Sequence, residues 1–336
     1  AGLPADDARL CGDWLVDTEA AGVSSHGIGR VGMYLDALRR GKIASKPSIA
    51  VAQSRPGVLL VDGGNGLGAV VGAVAIDRAM ETAVNTGIAI AVVRNSNHYG
   101  AAGYLLRRAV DAGFVAFTCS NGSPAMAVHG GADPIVGTNP LAAAFPAKNP
   151  EDSMGFDMAT SVAAFGKIRL AQRDRQPISA DWALAPDGTS TTDPDVAMKG
   201  ALLPVGGSKG SALALMVEML AGVLSGAAIA PSVGNPNDLT PEPANVGHAF
   251  VVLDVGAFMP RELYEQRVGA LGHVIRASRP AAGFEAVRLP GTGASARRER
   301  ALAGGVPLSA AVEEMLGIEL QKLGLSLPSP VPHAII

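Results

Sequence analysis

The strongest constraint on the fold is a regular alternation of short apolar runs with longer segments of helical periodicity. The apolar runs lie at 58–61, 88–93 and 115–118, and the helical segments between them lie at 69–86 and 101–112. Runs of this length that are rich in apolar and β-branched residues are typical of buried strands. Strands that alternate with helices predict an α/β sheet. Further strands near 155–158 and at 248–254, and a long helix over 209–225, extend the pattern.

The N-terminal part of the chain has a different pattern and predicts two helices within residues 4–42. The first carries Leu10, Trp14 and Leu15 on one face with Asp6, and the second runs from about His26 to Arg40. Gly41, directly after it, is typical of a helix C-terminus. Glycine-rich turns are predicted over 120–140, a surface loop over 231–246, and a loop followed by a helix over 279–306.

Charge and composition exclude several classes of protein. The 336 residues carry a net charge of −3, and no basic patch indicates a nucleic-acid partner. Glycines and charged residues interrupt every apolar run before about 18 residues, so no membrane span is predicted. The two cysteines, Cys11 and Cys119, are far apart, as is usual in a reducing compartment. Together with the absence of a signal-peptide pattern, this predicts a cytoplasmic protein.

A glycine cluster at 63–68 has some features of a dinucleotide-binding fingerprint. It follows a predicted strand and opens a helix, as such a fingerprint does. Its spacing differs from GxGxxG, and no second strand ends in an acidic residue about 20 residues further on. We therefore interpret the cluster as a structural turn rather than as a phosphate site.

Residues 94–104 are the most informative segment for function. They join the predicted strand at 88–93 to the helix at 101–112, so His98 lies on a strand-to-helix turn among small residues. Ligands of open α/β sheets bind at the carboxyl ends of strands. His98 is therefore a candidate for proton transfer, and the alternative is a loop histidine that caps the helix.

His26, Arg30 and Tyr34 recur at the spacing of one helix face in the second predicted helix. An arginine can bind a carboxylate through two parallel hydrogen bonds, and a histidine can exchange a proton near neutral pH. This stripe therefore predicts a site for an acidic substrate. The alternatives are a solvated face or an ion pair between Arg30 and an acid such as Asp36.

Three further segments combine glycines with polar side chains: 134–140, 157–161 and 206–211. The third opens the long predicted helix, where free N–H groups attract anions and Lys209 adds a positive charge. A simple helix cap is the alternative there. His129 is a further loop histidine, whereas His248, at the start of a strand, is more typical of a structural residue. No two histidines or carboxylates have the spacing of a metal site, so no metal is predicted.

Nine motifs follow one another in a specific order along essentially the whole chain. They are Ser25-His26-Gly27-x-x-Arg30-x-x-x-Tyr34, Asn97-His98-x-Gly100-Ala101-x-Gly103-Tyr104, Gly137-Thr138-Asn139-Pro140, Asp157-Met158-Ala159-Thr160-Ser161, Gly166-Lys167-Ile168, Thr192-Asp193-Pro194, Gly207-x-Lys209-Gly210, Leu289-Pro290-Gly291 and Gly305-Val306-Pro307-Leu308. In this order they resemble the malate/L-lactate dehydrogenase family, often called type 2. That family includes ureidoglycolate, sulfolactate and 2,3-diketogulonate oxidoreductases, and reductases of piperideine- and pyrroline-2-carboxylate.

The resemblance implies a particular α/β fold and domain organisation. The fold would be a non-Rossmann, sulfolactate-dehydrogenase-like α/β fold that binds NAD or NADP without a GxGxxG motif. The N- and C-terminal parts of the chain would form a helical domain. We expect a helical substrate-side segment at 1–52 and an α/β dinucleotide-binding region at 53–265. A C-terminal segment at 266–336 would pack back on the N-terminal helices. The resemblance also implies a homodimer.

It further implies roles for individual residues. His98 and His26 are the acid/base candidates, and we favour His98 because it emerges from a strand end. The residues expected at the substrate are Ser25, Arg30, Tyr34 and Thr138. Those expected at the dinucleotide are Gly122, Asp157, Met158, Ala159, Lys209, Gly210, Pro290 and Gly291. One departure from the family pattern is Ser211-Ala212, where an aromatic residue and a glycine usually follow Lys-Gly.

The predicted reaction is hydride transfer between a nicotinamide and C2 of a small 2-oxo or 2-hydroxy carboxylate, with a histidine moving the proton. The alternative is an NADPH-dependent reductase of a cyclic imine carboxylate. NAD and NADP both stay open, because no acidic residue is placed to read the ribose and Arg169, Arg173 and Arg175 follow the 157–161 segment.

Overall fold

The computed structural model describes residues 1–238, 240 and 242–327, and a seven-stranded sheet lies at its centre. The strands of this sheet are β1 Ala50–Arg55, β2 Val58–Asp62, β3 Ile88–Ser96, β4 Phe114–Ser120, β5 Leu141–Phe145, β6 Met154–Met158 and β9 Val246–Asp254. A separate pair joins β7 (Ala183–Leu184) to β8 (Ala201–Leu202).

The order of the strands in the large sheet is β1-β2-β3-β9-β4-β5-β6. β2 and β3 run parallel, and the other neighbouring pairs are antiparallel. β9 comes from late in the chain and lies between β3 and β4. This mixed order differs from a doubly wound parallel sheet, and it confirms the predicted α/β fold outside the Rossmann class.

Helices cover the sheet and form both ends of the described chain. They are α1 Ala5–Ala20, α2 Val31–Arg39, α3 Gly68–Thr86, α4 Gly103–Asp111, α5 Phe165–Arg173, α6 Pro194–Ala197, α7 Ser208–Val217, α8 Arg261–Arg276, α9 Thr292–Gly304 and α10 Ala310–Gln321. Short 3-10 turns lie at Ile28–Arg30, Pro150–Asp152 and Val255–Ala257, and a π-helical turn at Glu218–Val223 continues α7. None of the described helices has the length and apolar character needed to span a bilayer.

Apart from the second N-terminal helix, the strands and helices predicted from periodicity are present within a few residues of the expected bounds. The elements not expected from the sequence are β1, β5, β7, β8, α5, α6, α8 and α10. β1 is an exposed edge strand of mixed composition, and β5 begins with a leucine and three alanines, so neither shows the β-branched pattern of a strand. The main core lies where α3 and α4 pack on the sheet, and buried alanines such as Ala75 and Ala79 let α3 approach closely.

The N-terminal and C-terminal helices are in contact. Asp17 of α1 forms ion pairs with Arg107 of α4 and Arg298 of α9. Arg39 of α2 is 2.7 Å from Glu319 of α10. The predicted segment boundaries stay a prediction, and residues 328–336 of the C-terminal segment lie outside the described residues.

The second predicted helix is shorter than expected, and the prediction is wrong on this point. α2 begins at Val31, and His26 lies in a turn before the 3-10 turn at Ile28–Arg30. A contact from α1 explains the difference, because the Glu19 carboxylate accepts a hydrogen bond from the Ile28 N–H at 3.0 Å. Gly27 lies so close to Glu19 that a Cβ there would be 2.2 Å from the carboxylate. His26, Arg30 and Tyr34 therefore do not share one helix face.

Candidate active site

His98 lies in the loop between β3 and α4, where the sequence predicts it. Its Nδ1 atom is 2.7 Å from the Tyr34 hydroxyl of α2. His98 does not cap α4. Instead, the Asp157 carboxylate of β6 accepts a hydrogen bond from the Gly103 N–H at 3.0 Å in the first turn of that helix. The alternative of a helix-capping histidine is therefore wrong.

His26 reaches the same place from the turn before α2. Its ring stacks on the His98 ring with a centroid separation of 5.6 Å and an interplanar angle of 18°. Its Nδ1 atom is 2.8 Å from the Ser25 hydroxyl. The structure therefore brings together both histidines, Ser25 and Tyr34, although His26 is not on the helix that was expected to carry it.

Arg30 completes this cluster. Its Nε–H donates to the Ser25 carbonyl at 2.7 Å, which fixes the direction of the guanidinium. In the described part of the chain Arg30 forms no ion pair, so the predicted alternative of a pair with Asp36 is wrong. Burial lowers the pKa of Arg30, and the positive charge of Arg169 on α5 lowers it further. An anionic ligand would relieve this repulsion.

Burial disfavours the charged form of both histidines. It lowers the pKa of His26 to about 4, and the Arg30 charge acts in the same direction. Burial, followed by the charges of His26 and Arg30, lowers the pKa of His98 well below its usual value. Burial also raises the pKa of the Tyr34 hydroxyl, which stays protonated. The site thus pairs neutral imidazoles with a guanidinium that lacks a carboxylate partner among the described residues.

The glycine turn at 63–68 holds the backbone of the His98 loop. The Asn97 amide donates to the carbonyls of Asn65 at 3.1 Å and Gly66 at 2.9 Å. A Cβ on Gly68 would lie 2.2 Å from the Asn97 carbonyl and 2.5 Å from that of His98. These contacts support the interpretation of the glycine cluster as a structural turn. They also show that this turn packs against the loop that carries His98.

Gly122 and Thr138 lie in neighbouring turns between β4 and β5. The Gly122 N–H donates to the Asn139 side chain at 3.2 Å. Among the described residues, the nearest atom to a Cβ added on Gly122 would be the Gly137 Cα at 3.9 Å, and the glycine is partly exposed, so its backbone is accessible. The Thr138 carbonyl accepts from both the N–H and the hydroxyl of Thr160, each at 2.9 Å. The two predicted site residues therefore belong to one hydrogen-bonded group of turns.

A buried carboxylate beneath these turns was not predicted. Glu218, the first residue of the π-helical turn, accepts hydrogen bonds from the side chains of Asn121 at 3.3 Å and Asn139 at 3.0 Å. It also accepts one from the Ala230 N–H at 2.8 Å. Turns of this kind are frequent at functional sites. The available sequence signal was a single acidic residue within the apolar helical run 213–224.

Asp157, Met158 and Ala159 lie at and just after the end of β6. The Pro290 carbonyl accepts from the Gly155 N–H of the same strand at 3.1 Å. Gly291 has a φ of +93°, and a Cβ there would lie 2.9 Å from the Gly155 carbonyl. The structure therefore brings the predicted dinucleotide segments 157–159 and 290–291 together along one strand.

Lys209 is exposed in the first turn of α7. Gly210 beside it is closely packed, because a Cβ there would lie 2.2 Å from the Val205 carbonyl and 3.0 Å from that of Thr160. Ser211, which departs from the family pattern, accepts a hydrogen bond from the His129 N–H at 3.1 Å. This serine therefore ties the His129 loop to the start of the helix.

A sequence model of the malate/L-lactate dehydrogenase family matches residues 1–316. The chain belongs to this family. It is 40% identical over 293 residues to the L-sulfolactate dehydrogenase of Methanocaldococcus jannaschii, covering 86% of this chain and 83% of that enzyme. It is 36% identical over 332 residues to the malate dehydrogenase of Pyrococcus horikoshii, covering 96% and 91%. The predicted family and the prediction of an oxidoreductase are confirmed.

Solved structures of this family have the same fold. The sulfolactate dehydrogenase of M. jannaschii matches with a TM-score of 0.89 at 36% identity, over 97% of this chain and 93% of that one. The Δ1-piperideine-2-carboxylate reductase of Pseudomonas syringae matches with a TM-score of 0.80 at 30% identity, over 94% and 93%. Relatives named for each cofactor, an NADP(+) sulfolactate dehydrogenase of Chromohalobacter salexigens and an NAD(+) ureidoglycolate dehydrogenase of Escherichia coli, agree with the prediction of NAD or NADP.

Proposed function

We propose that this dehydrogenase transfers a hydride between the nicotinamide of NAD or NADP and C2 of a small 2-hydroxy or 2-oxo carboxylate. The observation that carries the proposal is the cluster of His98, His26 and Arg30. In it, a guanidinium without a carboxylate partner among the described residues lies beside two neutral imidazoles. Such a cluster can bind the carboxylate of a substrate and transfer a proton between an imidazole and the oxygen on the neighbouring carbon, C2.

His98 moves the proton. When its Nδ1–H donates to the Tyr34 hydroxyl, at 2.7 Å, the lone pair of Nε2 is free to accept the proton of a substrate hydroxyl. The imidazolium that forms keeps the Tyr34 bond, and it returns the Nε2 proton to the oxygen in the reductive direction. The nicotinamide, when bound, supplies the hydride acceptor or donor.

Arg30 binds the substrate carboxylate. Its Nε–H is used by the Ser25 carbonyl, and its terminal nitrogens have no oxygen partner within the described residues. A carboxylate can therefore take both terminal nitrogens, which orients C2 toward His98. His26, stacked on His98, closes one side of this space.

Arg169 supports a substrate with a second anionic group. It lies on α5 three residues after Gly166, where an added Cβ would lie 3.6 Å from the Ser25 Cβ, and its charge acts on Arg30. Residues three apart share a helix face, so Arg169 faces the same side as the Ser25 contact. Relatives named for malate and sulfolactate, both dianions, agree with this preference.

The residues present fit a dinucleotide. The backbone at Gly122 can receive a flat ring, because the glycine has no side chain and is partly exposed. Lys209 adds an exposed cation at the N-terminus of α7, where the helix dipole also favours a phosphate. Asp157 to Ala159, with Pro290 and Gly291 packed along the same strand, would border this space.

A second candidate function is reduction of a cyclic imine carboxylate. The structural match to a piperideine-2-carboxylate reductase supports this alternative. Both reactions place a carboxylate beside the carbon that accepts hydride. Turnover of oxaloacetate, sulfopyruvate, pyruvate and Δ1-piperideine-2-carboxylate, each with NADH and NADPH, separates the candidates. Higher kcat/KM for the two dianions than for pyruvate and the imine is the expected result.

The decisive variants are His98→Gln and His26→Gln, which keep a polar side chain of similar size. We expect His98→Gln to lower kcat by about 100-fold or more, since it removes the proton-transfer group. His26→Gln should cost less, and both variants should bind the dinucleotide with nearly wild-type affinity. A normal kcat in His98→Gln with an inactive His26→Gln would transfer the role to His26.

The expected homodimer has a candidate face on the surface of α7 and the π-helical turn. Leu215, Met219, Val223 and Leu224 are apolar and exposed there. Exposed apolar patches of this kind are usually covered by a partner. Light scattering should give twice the chain mass of 33.9 kDa, and Met219→Glu should shift it toward the monomer. A monomer at micromolar concentration would contradict the proposal.

A further inference from the structure

His248 occupies the centre of the sheet and contacts the strand ends that carry the site. It lies on β9, has no exposed surface, and is flanked by β3 and β4. Its Nε2 atom is 2.8 Å from the Ser96 hydroxyl, at the end of β3, and its Nδ1 atom is 2.8 Å from the Ser120 hydroxyl, at the end of β4. Ser96 lies two residues before His98.

The residue after His98 also rests on this imidazole. The Tyr99 ring stacks on His248 with a centroid distance of 4.4 Å and an interplanar angle of 10°. Tyr99 is 2% exposed, so the stack is sealed from solvent. His248 therefore contacts the loop on both sides of His98, through a hydrogen bond before it and a ring contact after it.

The ring nitrogens of neutral His248 hold one proton between them, and both serine hydroxyls can donate or accept. The Ser120 hydroxyl also lies within donating distance of the carbonyls of Asn121 at 2.9 Å and Gly247 at 3.2 Å, and the Ser96 hydroxyl lies 3.5 Å from the Asn97 carbonyl. In either tautomer one ring nitrogen donates to its serine and the other accepts, so both hydrogen bonds form. Burial lowers the pKa of His248 to about 3, which keeps a second proton away from this ring.

We propose that His248 is a positioning residue that fixes the orientation of His98 through its hydrogen bond with Ser96 and its stack against Tyr99. The proposal rests on the role of His98 in the proposed function. A loop held at both flanks keeps the His98 ring within reach of the substrate oxygen, and small losses of such alignment lower the rate of the chemical step. The expected consequence is a loss of kcat with little change in ligand binding.

The test uses two variants that remove the same hydrogen bond from opposite ends. His248→Phe keeps a ring for the Tyr99 stack and removes both hydrogen bonds, whereas Ser96→Ala removes only the hydroxyl on the His98 side. We expect each to lower kcat by about 10-fold or more, with KM and dinucleotide Kd within about 3-fold of wild type. The double variant should be no slower than His248→Phe alone, because both changes break the same hydrogen bond between His248 and Ser96.

Ser225→Ala, which removes a hydroxyl bonded to backbone groups after α7, is the control and should keep the wild-type kcat.

Hydrogen exchange of residues 96–101 gives a readout that needs no turnover. Both variants should exchange faster than wild type in this loop, in the absence of cofactor and substrate. Unchanged exchange overturns the proposal, and so does a wild-type kcat in Ser96→Ala, which would reduce His248 to a packing residue. If the wild-type enzyme turns over none of the 2-oxo acids, the proposed function fails separately, and the exchange result alone decides the role of His248.

Discussion

At the scale of single residues, the charge of Arg30 acts on more than a bound anion. It is one cause of the lowered pKa of His26 and of His98. A carboxylate bound to Arg30 would cancel much of that charge. Substrate binding therefore raises the pKa of the acid/base residue, and the site gains proton affinity only when there is a substrate to receive the proton.

Arg30→Met tests this coupling. The change removes the positive charge, so the pKa of His26 should rise from about 4 toward its ordinary value, although burial still holds it below. Titration of the imidazole signals by NMR measures the shift. The same variant should lose most of its kcat/KM for carboxylate substrates and keep its dinucleotide affinity. Arg39→Met, at the C-terminal end of α2 and paired with Glu319, is the control. An unchanged His26 pKa would contradict the coupling.

The sequence predicted which residues of this cluster lie together better than it predicted their local geometry. His98 was placed correctly because strand ends and helix starts leave local signals in the sequence. The position of His26 was wrong because the turn before α2 depends on Glu19, whose contact with Ile28 crosses from another helix. Partners that lie far away in the chain, such as Ser96 for His248, leave no local pattern at all.

At the scale of elements, α7 joins two parts of the proposed dinucleotide site. Its first turn carries Lys209, and its π-helical continuation holds Glu218 beneath the Asn121 and Asn139 side chains. The helix and its length were predictable from apolar periodicity. The π-helical turn was not, since the partners of its buried carboxylate come from turns far away in the chain.

Lys209→Met tests the first turn of this helix. If Lys209 binds a phosphate, its loss should weaken NAD(P) binding by about 1–3 kcal/mol, the range of a charge-assisted hydrogen bond. The melting temperature without cofactor should stay the same, because an exposed lysine contributes little to folding. Calorimetric titration with NADH and NADPH measures the change, and Lys199→Met provides a matched exposed lysine. Equal affinities in Lys209→Met and wild type would leave this turn a plain helix cap.

At the scale of the whole molecule, buried neutral histidines make the folded state sensitive to acid. The pKa of His26 is lowered to about 4, that of His248 to about 3, and that of His98 well below its usual value. Each contributes stability that is fully present above the unfolded pKa of about 6.5 and is lost as the pH falls toward the folded value. The unfolded state takes up these protons first, so acid favours it.

Denaturant unfolding at pH 7.0 and 5.0 tests this effect, in a window where most carboxylates stay ionised. Stability should fall by up to about 1.4 kcal/mol per pH unit for each histidine that stays neutral in the folded state. His248→Phe should show a shallower fall than wild type, since it has one such group fewer. An equal pH dependence in the two proteins would show that His248 is not excluded from protonation in the folded state.

The central place of β9 also has a consequence for the order in which the protein can be made. β3 and β4 are complete by residue 120, yet the strand that pairs with both of them ends at residue 254. Until that strand leaves the ribosome, two long strand edges have no partner, and unpaired edges invite association with other chains. The proposed catalytic loop at His98 can therefore reach its final shape only after residue 254 has emerged, more than 150 residues after the loop itself.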